Sequence, residues 1–213
     1  MGQYSKVETD GRLMVVTINR PEVYNACHPM ANQELVEAFD DFQANPELWV
    51  AIITGAGDKA FCAGNDLKYH AEIQARTGKR PVHPLKGFGG LTNRHDLDKP
   101  VIAAVNGIAM GGGFEIALAC DIIVASDQAK FALPEPRVGL AAGAGGMQRL
   151  SRMIPLKKAM GMMLTGRHVG AKEGYELGFV TEVVPHAELM TAAKKWAAQI
   201  LECSPMSVRA TKQ

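Results

Sequence analysis

The sequence has little cysteine, and the few cysteines it has form no recognisable pattern. There are 4 in 213 residues, and no two form a CxxC pair. A cysteine-based zinc site and a disulfide framework are both disfavoured by this scatter, so we expect reduced thiols. The 6 histidines show no metal-ligand spacing, and we interpret them as surface residues. The sequence therefore predicts no metal site.

An excess of charge of either sign is also lacking. Lysine and arginine number 23 against 22 acidic residues, so nothing in the charge points to nucleic acid or an anionic membrane as a partner. The N-terminus has no apolar core for a signal peptide. The longest apolar stretch, residues 107–125, is interrupted by Glu115 and Asp121, which makes it a poor membrane span. We expect a cytoplasmic protein that acts on a small molecule.

Several common catalytic motifs are absent, and each absence removes a reaction class. The chain has no GxSxG, SxxK, HExxH or Walker A sequence, and no glycine cluster completes GxGxxG. These absences argue against the common serine hydrolases, zinc peptidases, P-loop enzymes and dinucleotide-binding folds.

The chain does contain apolar segments that alternate with segments of helical period. A hairpin is predicted over residues 5–9 and 13–19, a helix over 30–42, and buried strands at "WVAIITG", "PVIAAVNG" and "DIIVAS". With a further helix over 113–120, this alternation predicts a single α/β domain whose parallel strands are covered by helices.

The remaining segments have weaker patterns. Residues 69–90 are rich in charge, glycine and proline and show no period, which predicts an exposed loop or lid. Beyond Arg149 the pattern is mostly helical, with a short strand at "FVTEVV" and a long amphipathic helix over residues 185–203.

One stretch, "MGGGFEIALACD", combines three glycines with a single carboxylate, Glu115. Glycines before a helix let backbone N–H groups approach an anion closely, although tight helix packing also requires small residues. The apolar neighbours of Glu115 indicate that it is buried or lines a cleft, where burial raises the pKa of a carboxyl group. The alternatives are a proton-transfer group and an acid that only complements the helix dipole.

Two further segments have the same ambiguity. In "FALPEPRVGL", Glu135 lies between two prolines that would fix its direction, yet an ordinary loop acid has the same pattern. In "KAFCAGNDLK", a turn of small residues after a strand could present N–H groups at the edge of a sheet.

Together these segments resemble the enoyl-CoA hydratase/isomerase, or crotonase, family from about Val7 to Lys212. The similar pieces are "NRPEVYNA", "AFCAGNDLK", "DKPVIAAVNGIAMGGGFEIALACDIIVAS", "FALPEPRVGL", "GAGGMQRL" and "LTGR". The resemblance implies an α/β fold, the crotonase-type spiral of ββα units, over residues 1–184. Residues 185–213 would begin a C-terminal helical segment that stops earlier than in other members, and the subunits would assemble as homotrimers or homohexamers.

The resemblance also implies the site. The backbone N–H groups of Asn65 and Gly112 would form an oxyanion hole for a thioester oxygen, and the coenzyme A arm would run along Asn65, Asp66, Leu67 and Lys68. Glu115 would be the base that activates water and Glu135 the acid. No prosthetic group is expected, since the substrate itself is a coenzyme A thioester.

Both family glutamates are present, which favours hydration of a 2-enoyl-CoA to a 3-hydroxyacyl-CoA over double-bond isomerisation. The segments around "GFGGLTNRHDLDKP" also look like carnitinyl-CoA dehydratases, so that activity is the alternative. A non-catalytic scaffold that binds acyl-CoA is a further possibility. Ala142, Met147 and Cys27 depart from the usual residues of the family, which affects the expected substrate shape more than the mechanism.

Overall fold

The computed structural model describes residues 2–79, 81 and 84–213. Its strands are β1 (Ser5–Asp10), β2 (Leu13–Ile18), β3 (Val50–Gly55), β4 (Ala60–Cys62), β5 (Val101–Val105), β6 (Ile108–Met110), β7 (Ile122–Ser126), β8 (Lys130–Ala132), β9 (Val169–Gly170) and β10 (Glu182–Val184). Its α-helices are α1 (Pro29–Ala44), α2 (Leu67–Thr77), α3 (Gly112–Ala119), α4 (Gly146–Met153), α5 (Leu156–Thr165), α6 (Ala171–Leu177), α7 (Leu189–Leu201) and α8 (Pro205–Lys212).

The strands form two sheets. The larger has the order β1-β2-β3-β5-β7-β10 and is parallel except for the β1–β2 hairpin. The smaller has the order β4-β6-β8-β9 and is parallel except for β8–β9. Successive strand pairs divide between them: β3, β5 and β7 join the larger sheet, and β4, β6 and β8 join the smaller one. This is the α/β spiral of ββα units that the resemblance predicts.

The larger sheet is covered on both faces, which explains why its strands have unbroken apolar sequences. Ile53 and Val105 belong to the main core, which includes residues of α1 and α3. Ile52 and Ile102, whose side chains lie on the opposite face of the sheet, pack into a second core with Ala193 of α7. Every residue of β3 and β5 is buried.

The prediction of an exposed loop over residues 69–90 is wrong at both ends. Residues 69–77 lie in α2, whose N-terminus is capped by Asp66 and whose C-terminus is followed by Gly78 at φ 69°. No residue of α2 is buried, so the helix has no apolar stripe for a periodicity argument to detect. Residues 88–90 form a buried 3₁₀ turn. Arg80, Val82 and His83, also in that prediction, lie outside the described residues.

Other differences arise from short or polar elements. Strands β4, β6 and β8 have 3 residues each, too few for alternation to be recognised. The predicted long helix is divided into a 3₁₀ turn (His186–Glu188) and α7. His28 is buried rather than at the surface, because its Nδ1 accepts the Ala31 N–H and caps α1.

Helix α8, which the sequence pattern did not predict, is tied to the domain by ion pairs. The guanidinium of Arg209 lies 2.7 Å from Asp98, and the ammonium of Lys212 lies 2.7 Å from Asp121. Within the described ranges, no helix combines the length and the apolarity needed to cross a membrane.

The contact of α3 with β4 gives a stability prediction. A Cβ on Gly113 would lie 1.9 Å from the carbonyl oxygen of Cys62. We expect Gly113→Ala to lower the free energy of unfolding by at least the ~1–3 kcal/mol typical of overpacking, as measured by urea denaturation.

The matched control is Gly161→Ala in α5, where an added Cβ meets nothing within 4 Å. Because alanine is the better helix former, this variant should be unchanged or more stable by ~0.5–1 kcal/mol. Equal stability of the two variants would contradict the close contact.

Candidate active site

The site lies where three neighbouring strands of the smaller sheet end. Strands β4, β6 and β8 are parallel neighbours, so their carboxyl ends meet at one edge. Asn65 follows β4, Gly112 follows β6, and Glu135 follows β8, each within three residues of the strand end. These residues and Glu115 line a single cleft of about 940 Å³.

The backbone N–H of Asn65 points away from the segment around Cys27, with which Asn65 forms a parallel bridge. The Cys27 N–H donates to the Gly64 oxygen at 2.8 Å, and the Asp66 N–H donates to the Cys27 oxygen at 3.2 Å. In such a parallel bridge the central residue, Asn65, points its own N–H to the opposite side. The Gly112 nitrogen lies close to the same turn, since a Cβ on Gly64 would be 3.1 Å from it.

The N–H of Gly112 belongs to the first turn of α3, where backbone donors have no acceptor within the helix. The preceding Gly111 has φ 52° and ψ −124°, a conformation that glycine adopts far more readily than other residues. In the part of the chain that the structure describes, the N–H groups of Asn65 and Gly112 donate to no backbone oxygen. Both residues line the cleft, so two backbone donors without an acceptor among the described residues border it beside the positive end of α3.

Glu115 is the buried carboxyl group of the site, with 3% of its surface exposed. Its Oε1 accepts the Gly146 N–H at 2.9 Å. Burial raises the pKa of Glu115 to about 7, and the charge of Glu135 adds to this rise, while the Gly146 N–H and Arg149 oppose it. A carboxyl group with this pKa exchanges protons readily near neutral pH.

Glu135 lies between Pro134 and Pro136 and is the first residue of a 3₁₀ turn (Glu135–Val138). A Cβ on Gly111 would lie 2.9 Å from its Oε1, which places this carboxyl beside the start of α3. Its Oε2 is buried and has no hydrogen-bond partner among the described residues. Burial raises the pKa of Glu135 as well. The cleft thus has two carboxyl groups with raised pKa values next to two N–H donors.

Not every residue that the resemblance implied lines this cleft. Asn65 and Gly112 do, but Asp66, Leu67 and Lys68 do not. Asp66 caps α2 and pairs with Arg20 at 2.8 Å. Burial opposes ionisation of Asp66, but the Tyr69 N–H and the Arg20 guanidinium outweigh it and lower its pKa.

The cleft is also lined by Phe88, Thr92 and Arg149, which nothing in the sequence had singled out. The motif "GAGGMQRL" includes Arg149, so a basic residue one turn into a glycine-led helix was the available signal. Among the described residues, no group of three or more His, Cys, Asp or Glu side chains is placed to hold a metal ion.

The raised pKa of Glu115 predicts a pH-dependent stability. Between the ordinary pKa of 4.5 and the folded value of about 7, the folded chain keeps a proton that the unfolded chain loses. Ionisation of Glu115 therefore destabilises the fold as pH rises through this window. Between pH 5 and pH 8, the free energy of unfolding of Glu115→Gln should therefore rise relative to that of the wild type by up to about 3 kcal/mol. This figure corresponds to about 1.4 kcal/mol per pKa unit.

Urea denaturation at the two pH values measures this difference. Glu176→Gln, at an exposed position, controls for the loss of one acidic charge. A stability difference between Glu115→Gln and the wild type that does not change with pH would contradict the buried, raised-pKa state of Glu115.

Comparison with known proteins identifies the family. A family model described as enoyl-CoA hydratase/isomerase matches residues 8–213. The carnitinyl-CoA dehydratase of Escherichia coli (strain K12) is 44% identical over 215 aligned residues, which cover 100% of this chain and 80% of the relative. The carnitinyl-CoA dehydratase of Proteus mirabilis (strain HI4320) is 43% identical over 213 residues, with the same coverage.

Solved structures of similar proteins have the same fold as this chain. A carnitinyl-CoA dehydratase from Mycobacterium avium 104 superposes with a TM-score of 0.91 at 43% identity, covering 98% of this chain and 80% of its own. An enoyl-CoA hydratase from Mycobacterium tuberculosis H37Rv gives a TM-score of 0.91 at 39% identity, with the same coverage. Both activities named here are hydro-lyase activities. The chain therefore belongs to the enoyl-CoA hydratase/isomerase family.

Proposed function

We propose that the protein reversibly adds water across the C2=C3 double bond of a 2-enoyl-CoA thioester to give the 3-hydroxyacyl-CoA. The observation that carries this proposal is the arrangement of the cleft. Glu115 and Glu135 line it together with Asn65 and Gly112, whose N–H groups have no backbone acceptor among the described residues. Conjugate addition of water requires these elements: a group that removes a proton, a group that supplies one, and donors for the oxygen on which charge develops.

In this mechanism the thioester oxygen accepts hydrogen bonds from the N–H groups of Asn65 and Gly112. As the water oxygen bonds to C3, Glu115 takes its proton, and the π electrons move to give an enolate whose charge lies on the thioester oxygen. Each donor aimed at such charge stabilises the transition state by ~2.7–4 kcal/mol. Glu135 then donates a proton to C2, which restores the thioester.

The environments of the two carboxyl groups support this division of roles. Glu115 accepts a backbone hydrogen bond and has a pKa of about 7, so at neutral pH a large fraction is ionised and can act as a base. Glu135 has a raised pKa and a buried Oε2 that has no partner among the described residues, which suits a protonated acid. Positioned acids and bases each contribute ~10²–10⁴-fold.

The names of the relatives favour a second candidate, dehydration of carnitinyl-CoA. Its substrate has a trimethylammonium group, which proteins recognise with aromatic faces or acids. The described lining residues of the cleft include two arginines, Arg149 and Arg152, and one benzyl ring, Phe88. Apart from Glu115 and Glu135, which the mechanism uses, these described lining residues include no acid, so they favour an uncharged acyl group over a quaternary ammonium ion.

The resemblance also leads us to propose a path for coenzyme A, an assembly and a location for the protein. The coenzyme A arm would pass along Asp66, Leu67 and Lys68, which continue from Asn65 outside the cleft. The enzyme would need no prosthetic group, would assemble as a homotrimer or homohexamer, and would work in the cytoplasm. Analytical ultracentrifugation tests the assembly.

Turnover of crotonyl-CoA, followed by the loss of the conjugated thioester absorbance, tests the proposal. Glu115→Gln and Glu135→Gln should each reduce kcat by at least ~10²-fold, because each removes one proton-transfer group. Exposed Glu176→Gln is the control and should match the wild type. Full turnover in both site variants would refute the mechanism.

A comparison of kcat/KM for crotonyl-CoA and crotonobetainyl-CoA distinguishes the two candidates. The cleft charges predict a higher value for crotonyl-CoA. A higher value for crotonobetainyl-CoA would favour carnitinyl-CoA dehydration, and binding of both thioesters without turnover would favour a non-catalytic scaffold.

A further inference from the structure

Arg149 is the cleft residue whose contacts connect the two chemical halves of the site. It lies one turn into α4 and lines the cleft together with Glu115. Its Nη2 donates to the Thr92 carbonyl oxygen at 2.9 Å, and its Nη1 lies 3.4 Å from the Ala144 carbonyl oxygen. A single guanidinium thus joins the loop before α4 to the segment that follows the Phe88–Gly90 turn.

The first connection leads to the carboxyl group of Glu115. The guanidinium covers Gly145 so closely that a Cβ there would lie 1.9 Å from Nη1. The next residue, Gly146, donates its N–H to Glu115 Oε1 at 2.9 Å. A Cβ on Gly146 would be 3.0 Å from the same oxygen. The loop held by Arg149 is therefore the loop that orients Glu115.

The second connection leads to the oxyanion donors. The Thr92 side-chain oxygen accepts the Phe88 N–H at 2.8 Å. The Phe88 ring lies against the start of α3, where a Cβ on Gly112 would be 2.6 Å from the ring. Through Thr92 and Phe88, Arg149 thus supports the wall beside the Gly112 N–H.

We propose that Arg149 is a positioning residue of the hydration site, which holds the Glu115 carboxylate and the Gly112 donor in register by bridging the Thr92 and Ala144 carbonyl groups. The inference rests on the proposed hydration and adds a residue that acts through Glu115 and Gly112 rather than on the reacting atoms. A planar guanidinium suits this role because it donates in two fixed directions, whereas the ammonium of lysine acts as a point charge.

The charge of Arg149 has a second effect on the same carboxyl group. The groups that face Glu115 are Glu135, which raises its pKa, and Arg149, which lowers it; Arg152 and His95 line the same cleft. Burial lowers the pKa of Arg149 itself, but an arginine stays protonated in proteins. Its removal should therefore raise the pKa of Glu115.

The kinetic test compares Arg149→Lys and Arg149→Gln with the wild type on crotonyl-CoA. Because misplacement of a reacting group by about 1 Å can cost 10²-fold, both variants should have kcat reduced by ~10–10²-fold with KM little changed. The acidic limb of the pH profile of kcat should move to higher pH in Arg149→Gln and stay near the wild type in Arg149→Lys, which keeps the cation. Exposed Arg76→Gln is the charge control.

A ¹³C NMR titration of the Glu115 carboxyl, assigned with Glu115→Gln, measures the same coupling without turnover. A higher Glu115 pKa in Arg149→Gln supports the inference even if no enoyl-CoA is hydrated, a result that would remove only the proposed function. Wild-type kcat in both variants, or loss of kcat in Arg149→Gln with an unmoved Glu115 titration and an unmoved pH limb in that variant, would overturn it. If Arg149→Gln does not fold, Arg149→Lys decides by its kcat alone.

Discussion

The hydrogen bond from the Gly146 N–H to the Glu115 carboxyl is the interaction on which the rest of the site depends. It joins the first residue of α4 to the first turn of α3 at 2.9 Å, in a place where Glu115 is almost fully buried. An isolated carboxylate at such a depth would be strongly disfavoured. The backbone donors of Gly146 and Ala144 and the nearby guanidinium keep the ionised form accessible, and burial keeps the pKa of Glu115 near neutrality.

The spiral supplies the geometry around this bond. Because β4, β6 and β8 are adjacent and parallel, the residues that follow them meet at one edge of the smaller sheet. That edge receives one N–H donor from the turn after β4, another from the start of α3, and a carboxyl from the turn after β8. The close packing of Gly113 on the Cys62 carbonyl sets the depth of α3. Small residues at this crossing thus allow the close packing and leave the Gly112 N–H at the edge of the cleft.

The sequence predicted the fold class and the strands of the larger sheet well, because these strands are long enough to have a clear apolar pattern. It missed the three-residue strands and the polar helix α2, where neither alternation nor an apolar stripe exists. The site residues Glu115 and Glu135 stood out as acids in unusual surroundings, and the resemblance paired them. Arg149 did not stand out, since an arginine in an amphipathic helix is ordinary until its contacts with Thr92 and Ala144 are seen.

A crystal structure of the protein with bound acetoacetyl-CoA tests the central claim most directly, because this thioester has an oxygen at C3 but cannot be dehydrated. The account predicts its thioester oxygen within hydrogen-bond distance of the Asn65 and Gly112 nitrogens, and its C3 oxygen between the carboxyl groups of Glu115 and Glu135. A thioester bound elsewhere, or a C3 oxygen distant from both carboxyl groups, would contradict it.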